Sequence, residues 1–462
     1  MDKIRAYFDS LKGKEIAVVG LGVSHRPLIG LLVQEGLTVT AYDKKPMEEL
    51  GDFGKEYADK GVRFVLGDGY LEDLKGDLIF KTPGMRGDLP PFEKARARGS
   101  VVTSEMEVFF QLCPCPIFAV TGSDGKTTTT TLISKFLSAQ GKRCYLGGNI
   151  GTPLLPKIFE IAPDDVAVVE LSSFQLNDMH RSAQTAVVTN VAPNHLDWHT
   201  DMAEYVNAKR CVFQHQTPSG RLVVNYDNEI TRGYGEEAKG DLLYFSFRGP
   251  VPKGVYLDSD GNICVTDGKT VKPLMHRSCI RIIGDHNVEN YMAAIAATLG
   301  YVDDEVIRTV AETFGGVEHR MEFVREVDGV KWYNDSIASS PTRVIAGLKA
   351  QTQRIIMLAG GYDKKIPFEP MVPYVLEKVK YLILTGATAE KIRAAITSDP
   401  SYDPEKLTIE MSPSWDYAID RAREVAKPGD IVSLSPACAS FDFFANFEVR
   451  GEYFKKKVHE FK

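Results

Sequence analysis

The stretch Ile117-Phe-Ala-Val-Thr-Gly-Ser-Asp-Gly-Lys-Thr-Thr-Thr129 decides how the chain is read. Its uncharged opening, Ile117–Thr121, predicts a buried strand, Gly122–Gly125 a tight loop, and the run from Lys126 to about Gln140 a helix. Such a loop turns several backbone N–H groups and a helix N-terminus toward one point, and that point suits a phosphate. Lys126 can reach the terminal phosphates of a nucleotide, and the hydroxyl of Thr127 or Thr128 can ligate magnesium. The strict G-x-x-x-x-G-K-[ST] spacing fails because Val120 stands at the first glycine position, which leaves the shorter Gly122-Ser123-Asp124-Gly125-Lys126-Thr127. The plain alternative is a solvated turn before an ordinary helix.

Outward from this loop, β-rich runs alternate with helical patterns. Upstream, Glu15–Gly20, Thr38–Asp43, Arg63–Leu66, Leu78–Lys81 and Val101–Thr103 are mostly apolar throughout, as strands covered on both faces are. Downstream come Arg143–Leu146, Val166–Leu171, Thr185–Val191 and Leu222–Asn225. Leu242–Phe247, Gly254–Leu257 and Ile263–Thr266, joined by Asp-Gly-type turns, predict an antiparallel appendage. After Gly315-Gly316 a third series follows: Val330–Tyr333, Arg354–Ala359, Tyr381–Thr385, Leu407–Met411 and Asp430–Leu434. The fold class is α/β, with three domains in series at 1–110, 111–316 and 317–462. A length of 462 residues supports the same division, since a single core stops growing well short of it.

Composition narrows the function classes. A chain 44% hydrophobic and 25% charged is an ordinary globular one, and no apolar run approaches the ~20 residues of a membrane span. No secretory signal is visible at the N-terminus, so a cytoplasmic monomer acting on small molecules is expected. A net charge of −7 argues against nonspecific nucleic-acid binding. The seven cysteines are scattered and odd in number, unlike a disulfide framework, and Cys113 and Cys115 form a lone C-x-C with no second pair nearby. Val18-Val-Gly-Leu-Gly-Val-Ser24, followed by Asp43, is half a dinucleotide fingerprint, with His25 at the third glycine. A nicotinamide-dependent dehydrogenase would rest on Gly20 and Gly22 alone and leave the central loop unexplained.

Several motifs stand in an order that is specific. Gly122–Thr128, Glu170-Leu-Ser-Ser-Phe-Gln175, Asn190-Val-Ala-Pro-Asn-His-Leu-Asp197, Gly284-Asp-His-Asn-Val-Glu-Asn290, Glu318-His-Arg320 and Tyr333-Asn-Asp-Ser336 together resemble the Mur ligase family over essentially the whole chain. The resemblance implies a Rossmann-like N-terminal nucleotide-sugar domain, a central P-loop ATPase domain with a mainly parallel sheet, and a Rossmann-like C-terminal amino-acid domain. It implies ATP-dependent amide formation through an acyl phosphate, with two Mg²⁺ ions spreading the charge of the transferring phosphoryl. By the same resemblance Gly122, Ser123, Asp124, Gly125, Lys126, Thr127 and Thr128 hold ATP. Asn287 and Asn290 contact the adenine side, and Arg320 crosses from the third domain to the phosphates as that domain closes. Asp335 lies near the ribose or the arriving substrate. Thr127, Glu170 and His195 are implied metal ligands, as is Lys209 once converted to a carbamate; the bland reading of Lys209 is a solvated helix face. Lys126, His195 and Lys209 form the implied catalytic set.

The end domains separate family members. The N-terminal loop resembles that of the D-glutamate-adding members, implying UDP-sugar contacts at Gly22, Val23, Ser24, Asp43 (on the uracil), Thr82, Pro83, Gly84, Asn149, Ser172 and Gln175. Leu434-Ser-Pro-Ala-Cys-Ala-Ser-Phe-Asp442 with Phe447-Glu-Val-Arg-Gly451 resembles the signature of those members, implying D-glutamate contacts at Ser339, Lys364, Ser440, Phe441 and Phe447. One departure stands out: the family pattern Lys-Ala-Thr-Asn after Asn334-Asp-Ser336 is here Ile337-Ala-Ser-Ser340, which removes a cation. Arg320, Lys364 or Lys365 are the candidates to replace it. The rivals are another muramyl ligase, a folylpolyglutamate synthase, and a binding protein that holds UDP-sugars or ATP without chemistry.

Overall fold

The computed structural model describes residues 2–193 and 198–461. The chain divides into two compact units, one of Met1–Cys279 with Val288–Val310 and one of Ile280–Asn287 with Ala311–Lys462. Among the described residues three sheets form, two in the first unit and one in the second.

The first sheet comprises β1 (Glu15–Val19), β2 (Thr38–Asp43), β3 (Arg63–Leu66), β4 (Leu78–Lys81) and β5 (Val101–Thr103), in the order β3-β2-β1-β4-β5 and parallel throughout. The apolar runs of β1 and β4 are buried, as helices on both faces require. The strand order reverses between β1 and β4, so the loops Gly20–Ser24 and Thr82–Gly84 open side by side at the carboxyl edge, where open α/β sheets take ligands. Gly20 has φ +86° and a Cβ there would stand 2.7 Å from Thr82 Cγ2, so the loops approach through glycine. His25 explains the broken fingerprint: its Nδ1 lies 2.8 Å from Gly20 O, so the ring braces the loop from behind. Burial pulls its pKa down to about 4, which keeps it neutral.

The second sheet holds β6 (Ile117–Thr121), β7 (Cys144–Gly148), β8 (Val166–Glu170), β9 (Thr185–Val188), β10 (Arg221–Asn225), β11 (Asp241–Ser246), β12 (Gly254–Leu257), β13 (Asn262–Thr266) and β14 (Val271–His276). Their order is β14-β13-β12-β11-β10-β9-β6-β8-β7. The expected antiparallel appendage needs correction. β11 runs parallel to both β10 and β12, and only β12-β13-β14 alternate, all as one continuous sheet. The carboxylate of Asp227 takes the amides of Phe247 and Arg248, and the chain loops back so that Gly254 opposes Tyr244. A Cβ at Gly254 would sit 1.9 Å from Tyr244 O, so only glycine can begin that strand. The hairpin turn expected at Ser259–Asn262 is present between β12 and β13, and it is the link from β11 to β12 that is a return loop. β14 was not expected; Pro273 masks it, and proline is tolerated because the strand is at the edge.

In the second unit, β15 (Glu322–Val327), β16 (Val330–Asn334), β17 (Ile355–Gly360), β18 (Val379–Thr385), β19 (Thr408–Met411) and β20 (Ile431–Leu434) order as β15-β16-β20-β17-β18-β19, parallel except for β15. β20 inserts between β16 and β17, so the loops after these three strands gather at one carboxyl edge. Apolar clusters fill both faces of this sheet. In the first unit one apolar cluster runs through both sheets, with Phe8 packed on Phe159 at 5.5 Å. No helix among the described residues is long and apolar enough to cross a membrane.

Candidate active site

β6 lies between β8 and β9, and the loop after it is built around two glycines. A Cβ at Gly122 (φ +150°) would fall 1.9 Å from Thr189 Oγ1, and one at Gly125 (φ +79°) 2.3 Å from Asn290 Oδ1. The neighbouring strand end pins the backbone: the amide of Ser123 donates to Asn190 O at 2.9 Å and that of Asp124 to Asn190 Oδ1 at 2.9 Å. Ser123 is buried, with its hydroxyl 2.9 Å from both Ala192 O and the Tyr205 hydroxyl. Lys126 opens the helix Lys126–Ala139 and donates to the carbonyls of Gly122 and Ser123 at 3.0 and 2.9 Å. Thr127 and Thr128 sit in the first turn of that helix, and Thr129 donates to Asn290 Oδ1 at 3.2 Å.

Glu170 ends β8 beside Val120 of β6. Its Oε1 accepts from Asn149 Nδ2 at 2.8 Å, while Oε2 is buried with no hydrogen-bond partner among the described residues. Lys209, on the helix Met202–Arg210, is 1% exposed and not on a solvated face. Its Nζ donates to Gly122 O at 2.8 Å and lies 4.5 Å from the Tyr205 ring centroid. Burial, and then the charge of Lys126, hold its ammonium pKa well below the ordinary value, with Asp124 pulling the other way. The neighbouring Arg210 pairs with Glu237 at 2.9 Å. His195 lies outside the described residues. The donor set fits a hard divalent cation beside a triphosphate: an orphaned carboxylate oxygen, threonine hydroxyls at a helix N-terminus, and a glycine cradle that a Cβ would fill.

Between the loops of the first sheet and the edge of the second lies a cavity of about 430 Å³. Gly22, Val23, Ser24, Thr82, Pro83, Gly84, Asn149, Ser172 and Gln175 all line it. Asp43 does not: its carboxylate is taken by the amides of Leu21 at 2.6 Å and Lys45 at 2.9 Å. Ser172 and Gln175 also form a reciprocal capping box on the short helix Ser173–Leu176. The lining includes residues that the motifs did not single out, notably Phe174 and Glu105. Glu105 is buried, accepts from the Leu155 amide at 2.8 Å, and is pushed up to about 7 by burial. The only sequence signal there, Ser104 ahead of Glu107, marks a helix cap and not a site.

In the second unit the carboxyl-edge loops bring several expected residues together. Lys364 Nζ donates to Ser339 Oγ at 3.2 Å. Burial first, and then the guanidiniums of Arg343 and Arg450, lower the Lys364 pKa. Ser440 is buried, whereas Phe441 is 63% exposed with its ring 5.9 Å from that of Tyr362. Phe447 opens the helix Phe447–Glu460, and its ring meets His319 edge-on at 5.9 Å. Arg320 stands between His319 (φ +61°) and Met321 (φ +42°), left-handed backbone on both sides of one arginine. Asp335 is buried, accepts from the Met321 amide at 3.2 Å, and is raised to about 7 by burial. Asn287 Nδ2 donates to Ile283 O at 2.6 Å, three residues before Asn290 on the helix Asp285–Thr298. Where the family lysine is missing, Arg343 donates to Ile337 O at 3.0 Å, a cation that the motifs had not marked. Cys438 is buried with its sulfur 3.0 Å from Thr388 Oγ1, a packed thiol.

The pattern of the Mur ligase middle domain matches residues 120–298, and that of the Mur ligase glutamate ligase domain matches residues 319–438. Over 460 residues, 99% of this chain and 98% of the relative, the chain is 51% identical to the UDP-N-acetylmuramoylalanine--D-glutamate ligase of Acetivibrio thermocellus. The chain belongs to the Mur ligase family. The corresponding ligase of Clostridium kluyveri (strain ATCC 8527) is also 51% identical, over 451 residues covering 97% of each chain. The crystal structure of UDP-N-acetylmuramate-alanine ligase from Thermotoga maritima shares the fold with a TM-score of 0.56 at 17% identity, covering 96% of this chain and 99% of that one.

Within this Mur ligase, the residue that motif reading passed over most completely is Arg450. It was quoted inside Phe447–Gly451, yet its guanidinium is buried and bonds Ser336 O, Cys438 O and Ala439 O at 2.9, 3.1 and 3.2 Å. Those bonds fix the loop that carries Ser440 and Phe441. A fully buried arginine leaves no mark in a single sequence, because its type reads as surface charge.

Proposed function

We propose that this chain joins D-glutamate to UDP-N-acetylmuramoyl-L-alanine, with ATP cleaved to ADP and phosphate, in peptidoglycan precursor synthesis. The observation that carries the reading is the setting of the phosphate loop: a glycine cradle, an orphaned Glu170 oxygen and a buried Lys209 amine converge where a phosphoryl group would transfer. The choice of D-glutamate is supported by what the relatives are named for and by the Ser435–Asp442 loop.

The precursor's terminal carboxylate takes the γ-phosphoryl of ATP, ADP leaves, and the acyl phosphate is attacked by the amine of D-glutamate, with phosphate as the leaving group. Mg²⁺, two ions in this reading, supplies charge neutralisation at the transferring phosphoryl. Gly122, Ser123, Asp124 and Gly125 cradle the phosphates, and Lys126 turns from its loop carbonyls to the terminal phosphate. Thr127, Glu170 and His195 would hold the metal. Lys209, whose burial favours the neutral amine, would add to carbon dioxide with loss of a proton to give an anionic carbamate, a further oxygen ligand. Thr128, Asn287, Asn290, Arg320 and Asp335 complete the nucleotide contacts.

The cavity residues Gly22, Val23, Ser24, Thr82, Pro83, Gly84, Asn149, Ser172 and Gln175 take the UDP-sugar and its alanyl arm. Asp43 serves them by holding the Leu21 amide, and any contact with the uracil is made from that braced position. Ser339, Lys364, Ser440, Phe441 and Phe447 take D-glutamate. The two sheets of the first unit then act as separate domains, 1–110 for the nucleotide sugar and 111–316 for ATP, with 317–462 for the amino acid, in a cytoplasmic monomer. Phosphate release from ATP with Mg²⁺, the precursor and each candidate amino acid tests the reading. Release that needs both precursor and D-glutamate, with an amide product by mass, is expected; release with another amino acid overturns the specificity, and none overturns the ligase.

A further inference from the structure

The helix Met202–Arg210 touches the phosphate loop at one end and is tied to the cavity at the other. Tyr205 stands 2.9 Å from Ser123 Oγ, and one turn further on Lys209 donates to Gly122 O at 2.8 Å. At its first turn Glu204 receives a two-pronged bond from Arg86, Nη2 to Oε1 at 2.8 Å and Nη1 to Oε2 at 3.1 Å. Arg86 also donates to Trp198 O at 3.1 Å and stands 5.2 Å from the Trp198 ring centroid. The Trp198 indole in turn donates to Gly84 O at 3.0 Å, directly onto the cavity loop. Behind that loop the buried Lys81 pairs with Asp178 at 2.6 Å and donates to Met85 O at 2.8 Å, fixing the residue before Arg86. Neither Arg86 nor Glu204 lines the cavity, so neither is placed to touch the sugar.

A bidentate arginine–carboxylate pair with most of its surface covered is the form of ion pair that sets geometry as well as charge. Asp88 and the Thr200 amide saturate the remaining positions, at 2.7 and 2.6 Å. Among the described residues, His199 Nδ1 also faces Glu204, at 3.6 Å. Arg86, Trp198 and the helix therefore form an unbroken chain of contacts from Gly84 to Gly122.

We propose that the Arg86–Glu204 pair couples the precursor loop to the phosphate loop, so that nucleotide at Gly122–Thr128 tightens binding of the precursor at Thr82–Gly84. Arg86 is thus a positioning residue, and its role rests on the ligase reading above. Linkage makes the effect reciprocal: the precursor tightens the nucleotide by the same factor. A pair with a merely structural role would move the melting temperature and leave that factor alone.

The test is titration of full-length protein with UDP-N-acetylmuramoyl-L-alanine, with and without Mg²⁺ and a non-hydrolysable ATP analogue. In the wild type the analogue tightens the precursor by about fivefold or more, in the range usual for coupled sites. Arg86→Ala reduces the factor to less than about twofold, while affinity for the analogue alone stays within about twofold. Arg86→Lys, which keeps the charge and loses the fork, falls between. If Arg86→Ala melts early, Arg86→Lys and Glu204→Gln carry the measurement. An unchanged factor in folded variants, or no coupling in a wild type that binds the precursor, overturns the proposal. A wild type that binds no precursor and releases no phosphate with D-glutamate overturns the ligase reading instead.

Discussion

Lys209 and Arg450 are both 1% exposed, one in each unit, and the protein treats the two buried cations in opposite ways. Arg450 has Ser336 Oγ on Nε at 3.0 Å and three carbonyls on its other nitrogens. Burial lowers its pKa only to about 10, so it stays charged at neutral pH. Lys209 has three ammonium protons to place and, among the described residues, one hydrogen bond, to Gly122 O at 2.8 Å. Its charged form is therefore poorly stabilised, and burial favours the neutral amine. A buried cation whose donors are all matched is a strut. One left short of acceptors is a reagent, because the neutral amine is nucleophilic and can be converted to the anion that a metal site needs.

Replacing each cation by an apolar side chain of similar length separates the two cases. Lys209→Met is expected to lower turnover by at least about a hundredfold, since it removes a group acting on developing charge. In bicarbonate-free buffer the same variant should melt higher than the wild type, because an ill-solvated ammonium has gone. The sign with pH follows from linkage: a folded-state pKa below 10.5 means that the unfolded chain binds more protons in the window between, so wild-type stability rises with pH there. The advantage of Lys209→Met accordingly shrinks as pH rises toward 10.5. Unchanged turnover would end the catalytic role, and a lower melting temperature would end the contrast.

Arg450→Met should do the reverse. It strands the carbonyls of Ser336, Cys438 and Ala439 in the interior, and a loss of about 3 kcal/mol is expected in urea melts. Arg450→Lys should lose less, since an ammonium can still reach some of the acceptors but not all in the planar fork. If Arg450→Met is as stable as the wild type, burial without a carboxylate partner is not being offset by those bonds.

The legibility of these features in sequence follows the same division. Phosphate-loop residues could be found because glycine, lysine and threonine are required there in a fixed local order, and Gly122 and Gly125 are close-approach positions that no other residue fills. The parallel strands of all three sheets were visible because burial on both faces makes them continuously apolar. β15 was missed, although Asp328-Gly329, at φ +53° and +76°, is the two-residue turn of a tight hairpin; the charged residues of Glu322–Val327 hid the strand. Arg86 and Arg343 were missed for a different reason. Their meaning lies in partners 118 and 6 residues away, and nothing local marks the pair. Asp43 and Asn149 were named through the family resemblance, but each spends hydrogen bonds on the protein itself.

Ser172 poses the question of strut or contact at the smallest scale. Its hydroxyl accepts from the Gln175 amide at 3.2 Å and donates to Gln175 Oε1 at 3.0 Å, yet it also lines the cavity. Ser172→Ala removes the cap from a helix of only four residues, Ser173–Leu176, and about 1 kcal/mol of stability is expected to go with it. If the cap is all that Ser172 provides, the KM for the precursor should rise by less than about threefold, the change that the loss of one weak bond brings. A rise beyond about tenfold with the same small loss of stability would make the hydroxyl a substrate contact, since a bond worth that much must be made to the precursor and not to Gln175. Gln175→Glu keeps an acceptor for the Ser172 amide and hydroxyl while placing a negative charge on the cavity wall, so it should weaken the precursor without uncapping the helix. Strut and contact then separate at neighbouring positions of one motif, by the criterion that distinguishes Arg450 from Lys209: whether the side chain's hydrogen bonds are already filled by the protein.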